Sequence, residues 1–361
     1  MKGHPLSAPV KLSCRNLWKV YGPNPRRYFG ARTVADGADA LAAQMRAEHH
    51  IPAAIDVGFD VHVGETFVIM GLSGSGKSTV VRCLSRLIDA EHGQVLLDGA
   101  DLLAKSSRDL IDIRRHKMGM VFQNFGLMPH LTVIENIAFP LRLQGLPLAE
   151  QRARAAHVID LVGLVGRESA YPRQLSGGQQ QRVGIARSLA VEPELWFLDE
   201  PFSALDPLIR RQMQDEFLRI QRVLRKSIVF ITHDFQEALR IADRMAIMRD
   251  GKIVQIGTPE DLIVNPVDAY VAQFTAEVPR IKILRAAQCA TPLANRPERL
   301  GQINPDQRVE ALLPALAASP AGLDLMTQGG DYIGTLTAAS LEQALAQAGT
   351  GPENSQGAGH G

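Results

Sequence analysis

One stretch constrains this chain more than any other: the apolar run "TFVIM" at 66–70, the loop "GLSGSGKST" at 71–79 and the helix-like segment "VVRCLSRLI" that follows. The spacing Gly71-x-x-x-x-Gly76-Lys77-Ser78 fits a phosphate-binding loop, in which glycines let backbone N–H groups crowd around phosphates at a helix N-terminus. On that reading Gly71, Ser73, Gly74, Ser75, Gly76 and Thr79 line the phosphates, Lys77 meets the β- and γ-phosphates and Ser78 ligates magnesium. A flexible glycine/serine turn is the bland alternative, but the strand before and the helix after are the context the motif requires. The loop implies a nucleotide without saying what the nucleotide does.

At 361 residues the chain is longer than one domain usually runs, so two domains are expected. Its 39 basic and 38 acidic residues leave a net charge of +1, which offers no overall pull toward nucleic acid. Charge divides unevenly. Residues 301–361 hold six acids against one base, net −5, so residues 1–300 carry +6. Cys14, Cys83 and Cys289 stand far apart and lack the paired spacing of a metal site or a disulfide framework, which suits a reducing compartment. No apolar run approaches the roughly 20 residues of a membrane helix, and the first residues lack the apolar core of a signal peptide. Any membrane role is expected to come through a partner.

Strands are predicted at 10–21 and 54–63, with an insert at 22–53 that begins proline- and arginine-rich and ends in the helix-like "GADALAAQMRAEHH". After the loop the chain alternates helix-like and strand-like pieces, "GMVF", "ELWFLDE", "SIVFITH" and "RMAIMRDGKIVQIG". Asp250-Gly251 between alternating apolar runs is a strong hairpin signal. The rest suggests a mostly parallel α/β sheet.

The run "LWFL" delivers Asp199-Glu200 at the end of a buried strand. In P-loop ATPases such an Asp holds magnesium, and Glu200 is placed to orient or deprotonate the water attacking the γ-phosphate.

Residues 175–179, "LSGGQ", lead into the helix "QQQRVGIARSLA", with Asp199 beyond. With them the chain resembles the ATP-binding-cassette family. The resemblance implies a P-loop NTPase fold of ABC type: a RecA-like parallel core, an antiparallel β subdomain and a helical signature subdomain. It implies ATP and Mg2+ as ligands, and that Ser176, Gly177, Gly178 and Gln179 cap the γ-phosphate of ATP on a second copy, two chains sandwiching two ATP molecules head to tail. By the same resemblance Gln123 in "MVFQNF" touches magnesium, "SALD" at 203–206 with Asp206 crosses the dimer, and His233 in "ITHD" meets the γ-phosphate as a catalytic residue beside Glu200 and Lys77. An aromatic ring stacks on adenine in this family. Tyr21 in "KVYG" fits that position, with Tyr28 and Phe29 as competitors because the insert lengthens the chain between Tyr21 and Gly71.

The insert, with "VIMGLSGSGKST", "MVFQNFGLMPHLTVIEN" and "FSALDPLIRRQMQDE", resembles the cassette ATPases that energise uptake of glycine betaine, proline betaine or choline. That resemblance implies a cassette over 1–275, a connector over 276–299, one cystathionine-β-synthase-like (CBS-like) α+β motif over 300–347 and a disordered tail over 348–361. It also implies two transmembrane permease subunits, a separate substrate-binding protein and a place at the cytoplasmic face of a bacterial inner membrane. The rivals are an importer of another solute, such as an amino acid or polyamine, a soluble cassette protein of translation or DNA repair, and a non-catalytic nucleotide sensor.

Overall fold

The computed structural model describes residues 8–30, 37–123, 126–276, 281, 284–291, 302–305, 307–327, 330 and 332–347. Strand β1 (Val10–Tyr21) pairs antiparallel with β2 (Ile51–His62), and the excursion between them carries a 3-10 turn at Pro25–Tyr28 and helix α1 (Ala38–Ala47). The alanine-rich stretch of the insert is therefore a helix. Its buried residues Leu41, Ala42 and Met45 share one face, and they join Trp18, Val20, Tyr28 and Ile55 in a small core of their own. β2 starts earlier than expected, because Ile51 and Pro52 already pair with Tyr21 and Val20.

Beyond β2 come β3 (Thr66–Met70), α2 (Lys77–Leu84), β4 (His92–Leu97), β5 (Ala100–Asp101), α3 (Ser107–His116) and β6 (Met118–Val121). Helices α4 (Val133–Leu143), α5 (Leu148–Leu161) and α6 (Gly177–Leu189) pack on one another. Then follow β7 (Leu195–Asp199), α7 (Pro207–Leu224), β8 (Ser227–Thr232), α8 (Phe235–Ile241), β9 (Arg244–Arg249) and β10 (Lys252–Gly257). One sheet has the order β2-β1-β4-β5 with antiparallel neighbours. The other has the order β10-β9-β3-β8-β7-β6, and its strands β9, β3, β8, β7 and β6 run parallel.

Every residue of β3, β7 and β8 is buried, which is why these strands read as unbroken apolar runs instead of alternating ones. Trp196, Phe202, Phe217 and Phe230 form a connected aromatic cluster beside them, and the Trp196 indole is satisfied by the Ser188 hydroxyl at 2.9 Å. β3, β8 and β7 are neighbours, so their carboxyl ends bring residues 71–76, His233 and Asp199-Glu200 to the same edge of the sheet. That edge is where open parallel sheets bind ligands. The Asp250-Gly251 hairpin forms as expected, with φ of 52° and 85°, the paired positive values of a turn that matches strand twist.

The chain divides into two compact units, Met1–Ile256 and Gly257–Gly361. The second contains α9 (Pro259–Val264), α10 (Ala269–Thr275), α11 (Ala286–Cys289), β11 (Gln302–Ile303), α12 (Val309–Ala318), β12 (Leu323–Met326), β13 (Tyr332–Leu336) and α13 (Ala338–Gln347). Helices α12 and α13 accompany the antiparallel β12–β13 pair, and β11 is a two-residue strand parallel to β12. Its core gathers Leu284, Val309, Leu312, Leu323, Leu325 and Leu336. The buried Asp324 carboxylate accepts from the Thr335 hydroxyl at 2.9 Å. Residues 348–361, most of 276–299, and Asn124 and Phe125 of "MVFQNF" lie outside the described residues. Among the described residues no helix is long and apolar enough to cross a membrane.

Candidate functional site

Gly76 is the residue before α2 and has φ of 101°. A Cβ there would lie 2.2 Å from the Ala53 carbonyl oxygen, so glycine is required both by conformation and by contact. The start of β2 thus backs the phosphate loop. The hairpin does the same from another side: Gly251 N–H donates to the Ser75 carbonyl at 3.0 Å, and Ile55 N–H donates to the Gly251 carbonyl at 2.8 Å. Lys77 is buried, and its ammonium donates to the Gly71 and Leu72 carbonyls at 2.8 and 2.9 Å. Burial pushes its pKa down, with Glu200 and Asp199 pulling the other way. The Ser75 hydroxyl is buried without a hydrogen-bond partner, the kind of orphan that an anion's oxygen would satisfy.

The acid pair meets the loop. The Ser78 hydroxyl donates to Asp199 at 2.9 Å, and burial raises the Asp199 pKa more than this bond lowers it. Glu200 adopts a left-handed backbone, φ 46°, uncommon for a residue with a side chain. Its N–H donates to the Ile231 carbonyl of β8 at 3.1 Å, and its carboxylate lies 3.2 Å from His233 Nδ1. The 203–206 segment is braced by the Ser203 hydroxyl donating to the Glu200 carbonyl at 3.0 Å, and Asp206 caps α7 by accepting from Ile209 N–H at 3.1 Å. Lys77, Ser78, Asp199, Glu200 and His233 therefore gather at adjoining strand ends.

The signature residues are placed differently. Ser176 caps α6, accepting from Gln179 N–H at 3.4 Å, while the Gln179 side chain accepts from Ser176 N–H at 3.0 Å. Ser176 and Gly177 are exposed, and Gly178 packs against Ile209. Among the described residues no hydrogen bond joins 176–179 to 71–79. Gln123 is exposed in the turn after β6. The loop beyond it is tied to the helices by Arg187 of α6, which donates to the Gly126 carbonyl at 2.6 Å, and by the fully buried Asn136, which holds Met128 through both amide atoms. Sequence reasoning missed Asn136, Arg187 and Ala53, and it read Gly251 as a turn residue without its bond to the loop. "VIEN" and "IARSLA" offered no chemical signal, and the last two act through backbone alone.

The aromatic candidates separate cleanly. Tyr28 is buried, hydrogen-bonded to Glu48 at 2.7 Å and set edge-on to His50; Phe29 stacks on His92 with ring centroids 5.1 Å apart. Tyr21 is 44 % exposed at the end of β1, with the Lys19 ammonium 5.0 Å from its ring centroid.

Magnesium commonly takes one or two protein oxygens and completes its shell with phosphate and water. Ser78 and Asp199, two hard oxygen donors in contact beside the loop, fit that requirement, and the orphaned Ser75 hydroxyl fits a neighbouring phosphate.

Comparison with known proteins agrees with this arrangement. Residues 55–203 match the family model described as ABC transporter. The trimethylamine N-oxide transport system ATP-binding protein TmoW of Ruegeria pomeroyi is 54 % identical over 306 residues, 85 % of this chain and 86 % of that protein. The glycine betaine/proline betaine transport system ATP-binding protein ProV of Escherichia coli is 41 % identical over 340 residues, 94 % of this chain and 83 % of that one. A solved dimeric ATP-binding cassette in a post-hydrolysis state, bound to ADP and Pi, superposes with a TM-score of 0.57 at 30 % identity, over 69 % of this chain and 98 % of that one. With the loop, the acid pair and the signature helix in place, and with a relative of this identity matched over most of its length, the chain belongs to the ABC transporter family.

Proposed function

We propose that this chain is the ATP-hydrolysing subunit of an importer for a small solute whose nitrogen is fully substituted and carries no hydrogen, such as trimethylamine N-oxide, glycine betaine or choline. The observation that carries the cargo class is the 54 % identity to a trimethylamine N-oxide system subunit, beside 41 % identity to a glycine betaine/proline betaine subunit over 94 % of the chain. The amine oxide heads the list of candidates on that ground.

In this reading the loop 71–79 cradles the phosphates, Lys77 exchanges its two carbonyl partners for phosphate oxygens, and Tyr21 stacks on adenine. Ser78, Asp199 and Gln123 would hold magnesium, which would supply charge neutralisation for the γ-phosphate when bound. Glu200 accepts the proton of the attacking water, and His233, 3.2 Å from its carboxylate, orients that carboxylate toward the γ-phosphate. The Ser176–Gln179 segment, exposed at Ser176 and Gly177, meets the phosphates of a second copy, with Asp206 at the crossing. Two copies then bind two permease subunits at the cytoplasmic face of the membrane, the chain attached peripherally and a separate protein selecting the solute. The cassette spans 1–275, a connector 276–299, and residues 300–347 form a CBS-like regulatory motif, supported by the order β11-α12-β12-β13-α13.

The test is uptake by the reconstituted complex with radiolabelled trimethylamine N-oxide, glycine betaine, choline and proline. ATP-dependent uptake of the first three, with proline excluded, supports the cargo class. ATP turnover stimulated only by an amino acid or polyamine overturns it.

A further inference from the structure

A cavity of about 870 Å3 lies between the insert helix α1, the start of β2 and the β9–β10 hairpin, and it opens onto the phosphate loop at Gly74. Three observations tie it to the nucleotide. Its floor includes Gly251, whose N–H holds the Ser75 carbonyl. Its rim includes Ile51, the cross-strand partner of Tyr21. Its outer wall is α1, which presents Asp39 and the exposed Arg46 and is clasped to the hairpin by the Asp39–Lys252 ion pair. The space therefore extends from the loop that would cradle the phosphates to the strand end that carries the adenine candidate, and a cation faces it from an element that the phosphate and signature motifs do not include.

Resting on the ATPase reading above, we propose that the insert completes the nucleotide site, with Arg46 contacting the ribose and α-phosphate of ATP. A guanidinium suits this position because its planar fork binds phosphate and hydroxyl oxygens together. The Asp39–Lys252 clasp is a positioning device: it fixes the end of α1 against the hairpin, so that Arg46, two turns further along, stands over the cavity. Nucleotide affinity then depends on the insert being folded, and the insert's small core of Leu41, Ala42 and Met45 becomes part of the binding machinery.

The experiment is titration of the full-length protein with a fluorescent ATP analogue and magnesium, followed by displacement with ATP, ADP and adenosine, with thermal unfolding measured in parallel. Arg46→Ala is expected to weaken ATP and ADP by the same 3- to 10-fold and adenosine, which keeps the ribose but lacks the α-phosphate, by a smaller factor, with Arg46→Lys recovering part of the loss and both variants melting like the parent. Asp39→Asn, which keeps shape but loses the clasp, should weaken ATP by a smaller factor in the same direction. Unchanged ATP and ADP affinity in a stably folded Arg46→Ala protein overturns the proposal. So does a loss that appears only together with a fall in melting temperature and that Arg46→Lys does not repair. Lys77→Ala serves as the separate check: if it binds nucleotide as tightly as the parent, the ATPase reading itself fails, whatever Arg46 does.

Discussion

The Ser78 hydroxyl donates to the Asp199 carboxylate across 2.9 Å, joining the first residues of α2 to the end of β7 although 121 positions separate them in the chain. Burial holds the Asp199 pKa above the ordinary carboxylate value, so the nucleotide-free protein pays to keep this group charged. An acid with a raised folded pKa favours the folded state while it is protonated. That advantage is lost as pH climbs from the unfolded value, near 3.8, through the raised one. Glu237, buried against Gln214 at 2.9 Å, shifts the same way. Asp199→Asn is therefore expected to raise the melting temperature of nucleotide-free protein at neutral pH, by about 2 to 4 °C for each kcal/mol relieved, and to flatten its decline above pH 4. The same variant should lose the extra stabilisation that magnesium adds to ATP. Calorimetry with and without Mg-ATP checks both; a lower melting temperature in the free variant contradicts the electrostatic account.

Glu200→Gln is expected to retain ATP binding while turnover falls by about 10^2- to 10^4-fold, the range for losing a positioned proton acceptor. Because the signature of the second copy is read here as held through the γ-phosphate, a variant that leaves that phosphate uncleaved should accumulate as an ATP-bound dimer on size exclusion with magnesium. Hydrolysis at the parent's rate would remove Glu200 from its role. His233→Ala should slow turnover less than Glu200→Gln does if its part is to orient the carboxylate 3.2 Å away.

Tyr21→Ala should weaken ATP by about 1 to 3 kcal/mol, as expected for loss of a ring stacked on a base, with little change in melting. Tyr28→Ala should do the reverse. Its ring is 3 % exposed and its hydroxyl is engaged with Glu48, so truncation should cost about 3 to 5 kcal/mol of stability and lower the melting temperature well before it alters affinity. Equilibrium binding and thermal scans on both variants distinguish the roles. An affinity loss confined to the Tyr28 variant would move the adenine site into the insert.

Ser176 offers a way to separate capping from chemistry. Aspartate is as good a helix N-cap as serine, so Ser176→Asp should preserve α6 and the melting temperature. Its charge would nonetheless face the γ-phosphate of the second copy, and ATP-driven dimerisation and turnover should both collapse. Ser176→Ala should instead cost about 1 kcal/mol of stability with a milder effect on turnover. If Ser176→Asp dimerises and hydrolyses ATP normally, the signature does not meet phosphate in this protein.

The sequence by itself determined the pieces whose chemistry is local. The phosphate loop, the Asp199-Glu200 pair, the Asp250-Gly251 turn and the Ser176–Gln179 cap are all written in residue types at fixed spacing, because each is a backbone conformation or a hydrogen bond between near neighbours. The unbroken apolar runs of β3, β7 and β8 likewise announced a sheet covered on both faces. Tertiary structure decided which of these pieces meet. Ala53 and Gly251 brace the loop through carbonyl and N–H groups that every residue carries, so no side chain advertised them. The sequence favoured Tyr21 by its place in "KVYG" with Tyr28 and Phe29 as competitors, and only tertiary packing buried Tyr28, set Phe29 on His92 and left Tyr21 exposed. The cavity beside Gly74 is likewise invisible along the chain, since its walls come from α1, β2 and the β9–β10 hairpin, and burial and enclosure are properties of many segments packed at once.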